Sequence, residues 1–359
     1  MKYVTDKNSR PVYMQIYRQL RQDIIDGVYP LGSKLPSIRL LCDELSVSTV
    51  TVDHAYALLC DEGYIESRER SGFFVIFKKT DGFAAPSEAH VIYSASPQTP
   101  HTYPEFPFSV LGKTMRRVLT DYSGVLRERS PNAGFPELRE AIKSYLIRNR
   151  GMSVESDRIV IGSGAEYLYG LIIALLGRRR VYGIESPSYQ KIEQIYRASD
   201  VKYELLPLSC DGIDTAALTA TKASVIHTTP YRSFPTGITA SANKRHEYIR
   251  WSGKNGRFII EDDFESEFSV SSKPEDTLYS LSGYDNVIYM NTFSKTVSPA
   301  LRVGYMVLPK RLVSVFEERL GFYSCTVPTF EQFVLAELLN SGDFERHINR
   351  VRRSLRKGL

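Results

Sequence analysis

Cysteine is scarce and poorly placed for any framework. Cys42, Cys60, Cys210 and Cys325 form no C-x-x-C pair and no metal-type spacing, which excludes a disulfide scaffold and fits reduced thiols in the cytoplasm. Long apolar runs are missing as well. The opening MKYVTDKNSR holds no apolar core for a signal peptide, and the longest apolar stretch, around LIIALLG, falls far short of a spanning segment, so no membrane role is expected. Nor does either sign of charge dominate. Against 46 Lys and Arg stand 41 Asp and Glu, a net +5, which permits an anionic partner without demonstrating one. What remains is ordinary globular composition, 42% hydrophobic and 24% charged, with neither disorder nor a fibre indicated. At 359 residues the chain exceeds what one core organises, so two or more domains are expected.

The front of the chain reads as a small helical domain. In PVYMQIYRQLRQDIIDG, Val12, Ile16, Leu20 and Ile24 recur every four residues, with Pro11 suited to the first turn and Gly27 to the stop. Ser37 is placed to cap a short helix ending near Leu45, and Ser48 to cap a third after a tight turn through Ser46 and Val47. Two helices so closely joined suggest helix-turn-helix. YIESRERSGFFVIF then reads as two short strands joined by a charged turn containing Gly72, a wing beside the third helix. That order of elements serves DNA binding, and it also serves protein binding.

The run GVYPLGSKLPSIRLLCDELSVSTVTVDHAYALLCDEGYIESRERSGFFV resembles the DNA-binding domain of GntR-type bacterial regulators. The resemblance implies a double-stranded DNA operator as partner, contacted by Ser37 and Arg39 of LPSIR and by Ser48, Thr49 and Thr51, with the wing around Gly72 approaching the minor groove. Hydroxyls and an arginine at helix N-termini suit phosphates, and the third helix suits the major groove. Residues 1–77 hold nine Lys or Arg against ten Asp or Glu, so a favourable field must come from local placement. Thr49 stands where many relatives carry an arginine and Val50 where many carry a polar residue, so base preference does not transfer.

Residues 78–107, rich in Pro, Ser and small residues, read as a tether. Beyond it, short apolar runs alternate with helical segments over 108–359, the pattern of a mostly parallel α/β sheet covered on both faces. Five of these runs end in polar loops: RIVIGSGAEYLYGLIIALL, VYGIESPSY, SVIHTTPYRSFPTG, FIIEDDFESEF and VIYMNTFSK. Ligands of such sheets sit beyond the carboxyl ends of the strands, so these endings can share one site.

Lys295 lies in the last of them, NTFSKTVSPALRVGY, with Arg302 seven positions on. An isolated loop lysine merely reaches solvent. This one has company of the kinds that pyridoxal phosphate needs for a Schiff base: an acid for the pyridine nitrogen, a phosphate cradle and a stacking ring. Asp262 is the acid. Ser163, Gly164 and Ala165 open a helix suited to a phosphate, Thr292, Ser294 and Arg302 add hydroxyls and a guanidinium, and Tyr189 is the candidate ring. A metal site at Glu261, Asp262 and Asp263 is the competitor, with no histidine or further carboxylate at a supporting spacing.

SFPTG, EDDFESEF and NTFSKTVSPALRVGY together resemble fold type I pyridoxal phosphate enzymes of the aspartate aminotransferase group, from about Tyr103 onward. A GntR-type winged reader joined to such a domain is the arrangement of MocR-type transcriptional regulators. The resemblance implies Lys295 as the lysine joined to pyridoxal 5'-phosphate, Asp262 as partner of the ring nitrogen, Tyr189 as ring stacker, and Gly164, Ala165, Thr292, Ser294 and Arg302 near the phosphate. It also implies a homodimer and a regulator sensing the cofactor or a small amino compound joined to it. The rivals are a working aminotransferase with a DNA-binding appendage and a scaffold that binds no cofactor. Phe264 replaces a tyrosine common in relatives, Arg232 and Ser233 replace His-Gln, and Glu166 replaces a glutamine beside the phosphate. HINRVRRSLRKGL, which in relatives leads into a small C-terminal domain, ends the sequence, so most of that domain is expected to be missing.

Overall fold

The computed structural model describes residues 11–78, 104–254, 256–269 and 276–357. The chain divides into two compact units, Met1–Pro97 and Gln98–Leu359.

In the smaller unit α1 (Val12–Ile25), α2 (Ile38–Leu45) and α3 (Thr49–Asp61) precede the antiparallel hairpin of β1 (Ile65–Arg68) and β2 (Gly72–Val75). The four-residue spacing does what it implies: Ile16, Leu20 and Ile24 bury one face of α1 against Leu41 of α2, Val52, Tyr56 and Leu59 of α3, and Ile65 and Val75 of the wing. Ser46 takes the left-handed conformation, φ 50°, where α2 stops. Gly72 is a correction. It is the first residue of β2, paired with Arg68, rather than part of the turn, and its φ of +100° lets the wing reverse at a value that disfavours any side chain.

The tether falls mostly on 79–103, outside the described residues. Its described end is already core, since Phe106 is buried with the larger unit. There α4 (Phe108–Asp121) and α5 (Pro136–Arg150) lead to β3 (Ile159–Gly162), α6 (Ala165–Leu176), β4 (Val181–Ser186), α7 (Gln190–Ala198), β5 (Lys202–Ser209) and β6 (Gly212–Ile213). Next come α8 (Thr215–Ala220), β7 (Val225–Thr228), α9 (Ala242–Ser252), β8 (Phe258–Asp262), α10 (Leu278–Leu281), β9 (Val287–Thr292) and β10 (Gly304–Val307). The helices α11 (Lys310–Leu320), α12 (Thr329–Asn340) and α13 (Asp343–Lys357) follow.

One sheet organises the unit, in the order β3-β10-β9-β8-β7-β4-β5-β6. Neighbours pair in parallel from β9 through β5, while β10 runs against both β9 and β3 and β6 against β5. Every residue of β3, β7, β8, β9 and β10 is buried, as expected of strands covered on both faces. Side chains alternate accordingly. Ile161, Tyr289 and Tyr305 join the core with α5, α12 and α13, and Val160, Ile288 and Met306 join that with α6, α7 and α11.

Two glycines test this packing in opposite directions. Gly134, at φ +98°, has no room for a side chain, because a Cβ would lie 2.4 Å from Ile161 Cγ1 of β3. Gly170 sits inside α6 with nothing within 4 Å. Gly134→Ala should therefore destabilise the larger unit by about 2–4 kcal/mol, combining φ strain with overpacking, and Gly170→Ala should stabilise it by about 0.5–1 kcal/mol. Urea midpoints of the full-length variants read both, and equal midpoints would contradict this packing.

Candidate functional site

Strand endings build the site. Asp262 is the last residue of β8 and Thr292 the last of β9, with Ser294 and Lys295 in the turn that follows. The turn from β3 into α6 brings Ala165, the loop after β4 brings Tyr189 just ahead of α7, and Thr229 follows β7. All of these, with Arg302, line one cavity of about 360 Å³. Tyr189 is 39% exposed, and its ring meets Phe234 edge-on at 6.2 Å.

At the floor lies Asp262, 3% exposed. Its Oδ2 accepts from the Tyr169 hydroxyl and lies 3.7 Å from His227 Nε2, whose Nδ1 in turn meets the Tyr196 hydroxyl at 3.1 Å. Burial pushes the Tyr169 phenol well above its ordinary range, so it remains a donor. Asp262 Oδ1 is buried without a hydrogen-bond partner among the described residues. A buried carboxylate oxygen left so is costly unless something else completes it.

The neighbouring carboxylates turn elsewhere. Glu261 accepts from the backbone N–H groups of Leu278 and Tyr279 at 2.8 and 2.9 Å, and burial pushes it up to about 8. Asp263 accepts from Arg150 and, at 2.8 Å, from the Tyr289 hydroxyl. Among the described residues no group of three or more His, Cys, Asp or Glu side chains is placed to hold a metal.

In the same cavity lining Lys295 Nζ donates to Glu265 Oε1 and lies 4.3 Å from the centre of the Phe264 ring. Arg302 Nη2 contacts Glu166 Oε2 at 3.2 Å, while Lys191 Nζ takes the other oxygen at 2.5 Å. The Lys191 hydrogen bond holds the Glu166 carboxyl below its usual range, so it is an anion beside Arg302. Gly164, φ +89°, leaves no bulk against that guanidinium, since a Cβ would stand 3.3 Å from Nη2.

Not every expected residue reaches the cavity lining. Ser163 is engaged by Thr326, whose Oγ1 lies 3.2 Å from the Ser163 nitrogen and 2.9 Å from its Oγ. On the smaller unit Ser37 Oγ accepts from Leu40 N–H and Ser48 Oγ from Thr51 N–H, so both cap helices, and the Ser48 and Thr51 hydroxyls bond each other at 2.8 Å. Arg39 and Thr49 are exposed.

Comparison with known proteins agrees with this two-part reading. The family described as bacterial regulatory proteins, gntR family, matches residues 12–75, and aminotransferase class I and II matches 104–359. The uncharacterized HTH-type transcriptional regulator YdeL of Bacillus subtilis (strain 168) is 33% identical over 97% of this chain and 77% of its own. The probable rhizopine catabolism regulatory protein MocR of Rhizobium meliloti is 27% identical over 96% and 74%. This chain belongs to the MocR-type transcriptional regulators. Among solved structures, the Pyrococcus horikoshii kynurenine aminotransferase aligns with TM-score 0.63 and 25% identity over 70% of this chain. The regulator spans 65% of that enzyme's length. Its GntR domain implies DNA binding and its aminotransferase domain implies dependence on pyridoxal phosphate. No helix among the described residues is long and apolar enough to cross a membrane.

Sequence reading passed over Tyr169, Lys191, His227, Phe234 and Glu265. Tyr169 carried a usable signal, standing one helical turn beyond Ala165 on the same face. The Asp262 support yields a test. Tyr169→Phe leaves Oδ2 short of its hydroxyl donor and should destabilise the larger unit by about 1–3 kcal/mol, read as a lowered urea midpoint, and an unchanged midpoint would show that the hydroxyl does not support the carboxylate.

Proposed function

We propose that this regulator carries pyridoxal 5'-phosphate on Lys295 and, acting in the cytoplasm as a homodimer, uses the state of that site to set how its winged readers hold a double-stranded DNA operator. The observation that carries the proposal is the unpaired Oδ1 of Asp262, a residue that lines the same cavity as Lys295 and Arg302. These residues fit the cofactor. When bound, it supplies an electron sink once its ring nitrogen is protonated. Asp262 would accept from that nitrogen, and Tyr169 fixes which oxygen stays free for it. Arg302 and the open N–H groups at the start of α6 would hold the phosphate, with Thr292 and Ser294 beside them and Tyr189 against the ring.

Lys295 can attack a carbonyl only as the neutral amine. Glu265, already accepting from Nζ, is the group placed to hold the released proton. Phe264 brings no hydroxyl to donate to the cofactor; its ring face instead meets Lys295 Nζ, which also donates to Glu265. Glu166 opposes a phosphate at Arg302, and Lys191 draws its charge aside.

Two-fold assembly suits both units, because winged readers address paired half-sites and isologous dimers are the commonest closed assemblies. A small amino compound that reacts at Lys295 is the effector this site fits. A second reading, an aminotransferase bearing a DNA-binding unit, is favoured by the same Lys295 and Asp262 pair, and turnover of amino acids separates the two.

Incubation with the cofactor, borohydride reduction and peptide mapping should label the Lys295 peptide, and Lys295→Ala should show no absorbance between about 400 and 430 nm. A label on another lysine, with Lys295→Ala still yellow, would refute the assignment.

A further inference from the structure

The groove-facing side of α3 lacks the side chains most often used to read purines. TVTVDHAYALLCD contains no Lys, Arg, Asn or Gln, so neither the bidentate reader of guanine nor that of adenine is available from this helix. Val52, Ala55, Tyr56 and Leu59 face the core. Of the exposed residues, His54 is stacked on Tyr13 of α1, with ring centres 4.2 Å apart and planes at 14°. Ser48 and Thr51 are engaged with each other. Thr49, Val50, Asp53 and, a turn further on, the short Ala57 are left to meet base edges.

Val50 is 75% exposed, more than any other large hydrophobic residue described in the smaller unit. Asp53 follows it at i+3, on the same face, and takes no hydrogen bond or ion pair among the described residues. An aliphatic side chain in a major groove gains most from the one methyl group there, on C5 of thymine. A carboxylate is repelled by phosphates and needs a donor at the groove floor. Cytosine N4 is such a donor, whereas adenine places its amine beside an N7 acceptor that repels an anion.

We infer that α3 reads pyrimidines: Val50 seats against a thymine C5-methyl, and Asp53 accepts from a cytosine N4 amine one or two base steps away. The inference rests on the smaller unit binding duplex DNA. A rise of about 4.5 Å across three helical residues against about 3.4 Å per base step sets that separation. Arg39, exposed at the start of α2, is left to hold phosphate, and Thr49 can bond whichever base lies between.

The experiment is selection of duplexes from a random pool by the full chain, followed by replacement of each selected thymine with deoxyuridine. Selected sites should contain both pyrimidines on one strand. At one thymine the loss of the methyl should weaken wild-type binding about four-fold, the worth of one buried methyl group, and Val50→Ala should bind both duplexes equally. Asp53→Asn should move the preferred base at the neighbouring position from cytosine to adenine, with discrimination of roughly 5- to 150-fold. Deoxyuridine sensitivity that survives Val50→Ala, or a cytosine preference that survives Asp53→Asn, would overturn the assignment. Absence of any selection by wild type would instead overturn DNA reading by the smaller unit.

Discussion

A carboxylate buried with only one oxygen satisfied is expensive to maintain, and Asp262 at the end of β8 is such a group. The Tyr169 hydroxyl holds its Oδ2, with His227 Nε2 3.7 Å away, and Oδ1 is buried without a hydrogen-bond partner among the described residues. That arrangement persists only if the surrounding strands over-determine it, which the fully buried β7, β8 and β9 do. The rest of the larger unit's site is placed by neighbouring elements: Lys295 by the turn after β9, Arg302 by the approach to β10, and Ala165 by the start of α6.

Around that point the chain carries charges that bias the site. Glu265 engages Lys295, and Glu166 engages Arg302 while Lys191 balances it. Lys295 and Arg302, both lining the cavity, are each paired with an anion. A cofactor bound as proposed would have to displace or share those pairs.

The caps, the core stripe of α1, the βα alternation and the convergence of strand endings were legible in the sequence because each has a local signature: hydroxyls before helices, apolar residues at fixed periods, polar loops after apolar runs. Asp262, Lys295 and Arg302 were singled out for the combination of an acid, an amine and a guanidinium at neighbouring endings, and the structure brings all three to one cavity. Gly72 was misplaced by one element, since a glycine at positive φ serves equally in a turn and at a strand's first residue. Ser37 and Ser48 show the same ambiguity from the other side, for a hydroxyl suited to a phosphate is equally suited to a helix cap. Glu265, Lys191 and His227 were missed because their partners lie 25 to 35 residues away in sequence, at Lys295 for Glu265 (30 apart), Glu166 for Lys191 (25 apart) and Asp262 for His227 (35 apart). Only folding brings such pairs together.

The central claim is that the state of the Lys295 site and the grip on DNA are coupled. Operator affinity of the cofactor-free protein, the loaded protein and Lys295→Ala, measured alongside turnover of an amino acid panel, tests it most directly. A coupling of about 1–3 kcal/mol would shift affinity roughly 5- to 150-fold between the free and loaded forms, with Lys295→Ala unresponsive and turnover slight. Identical affinities in all three proteins together with fast transamination would contradict the account and leave an enzyme with a DNA-binding appendage.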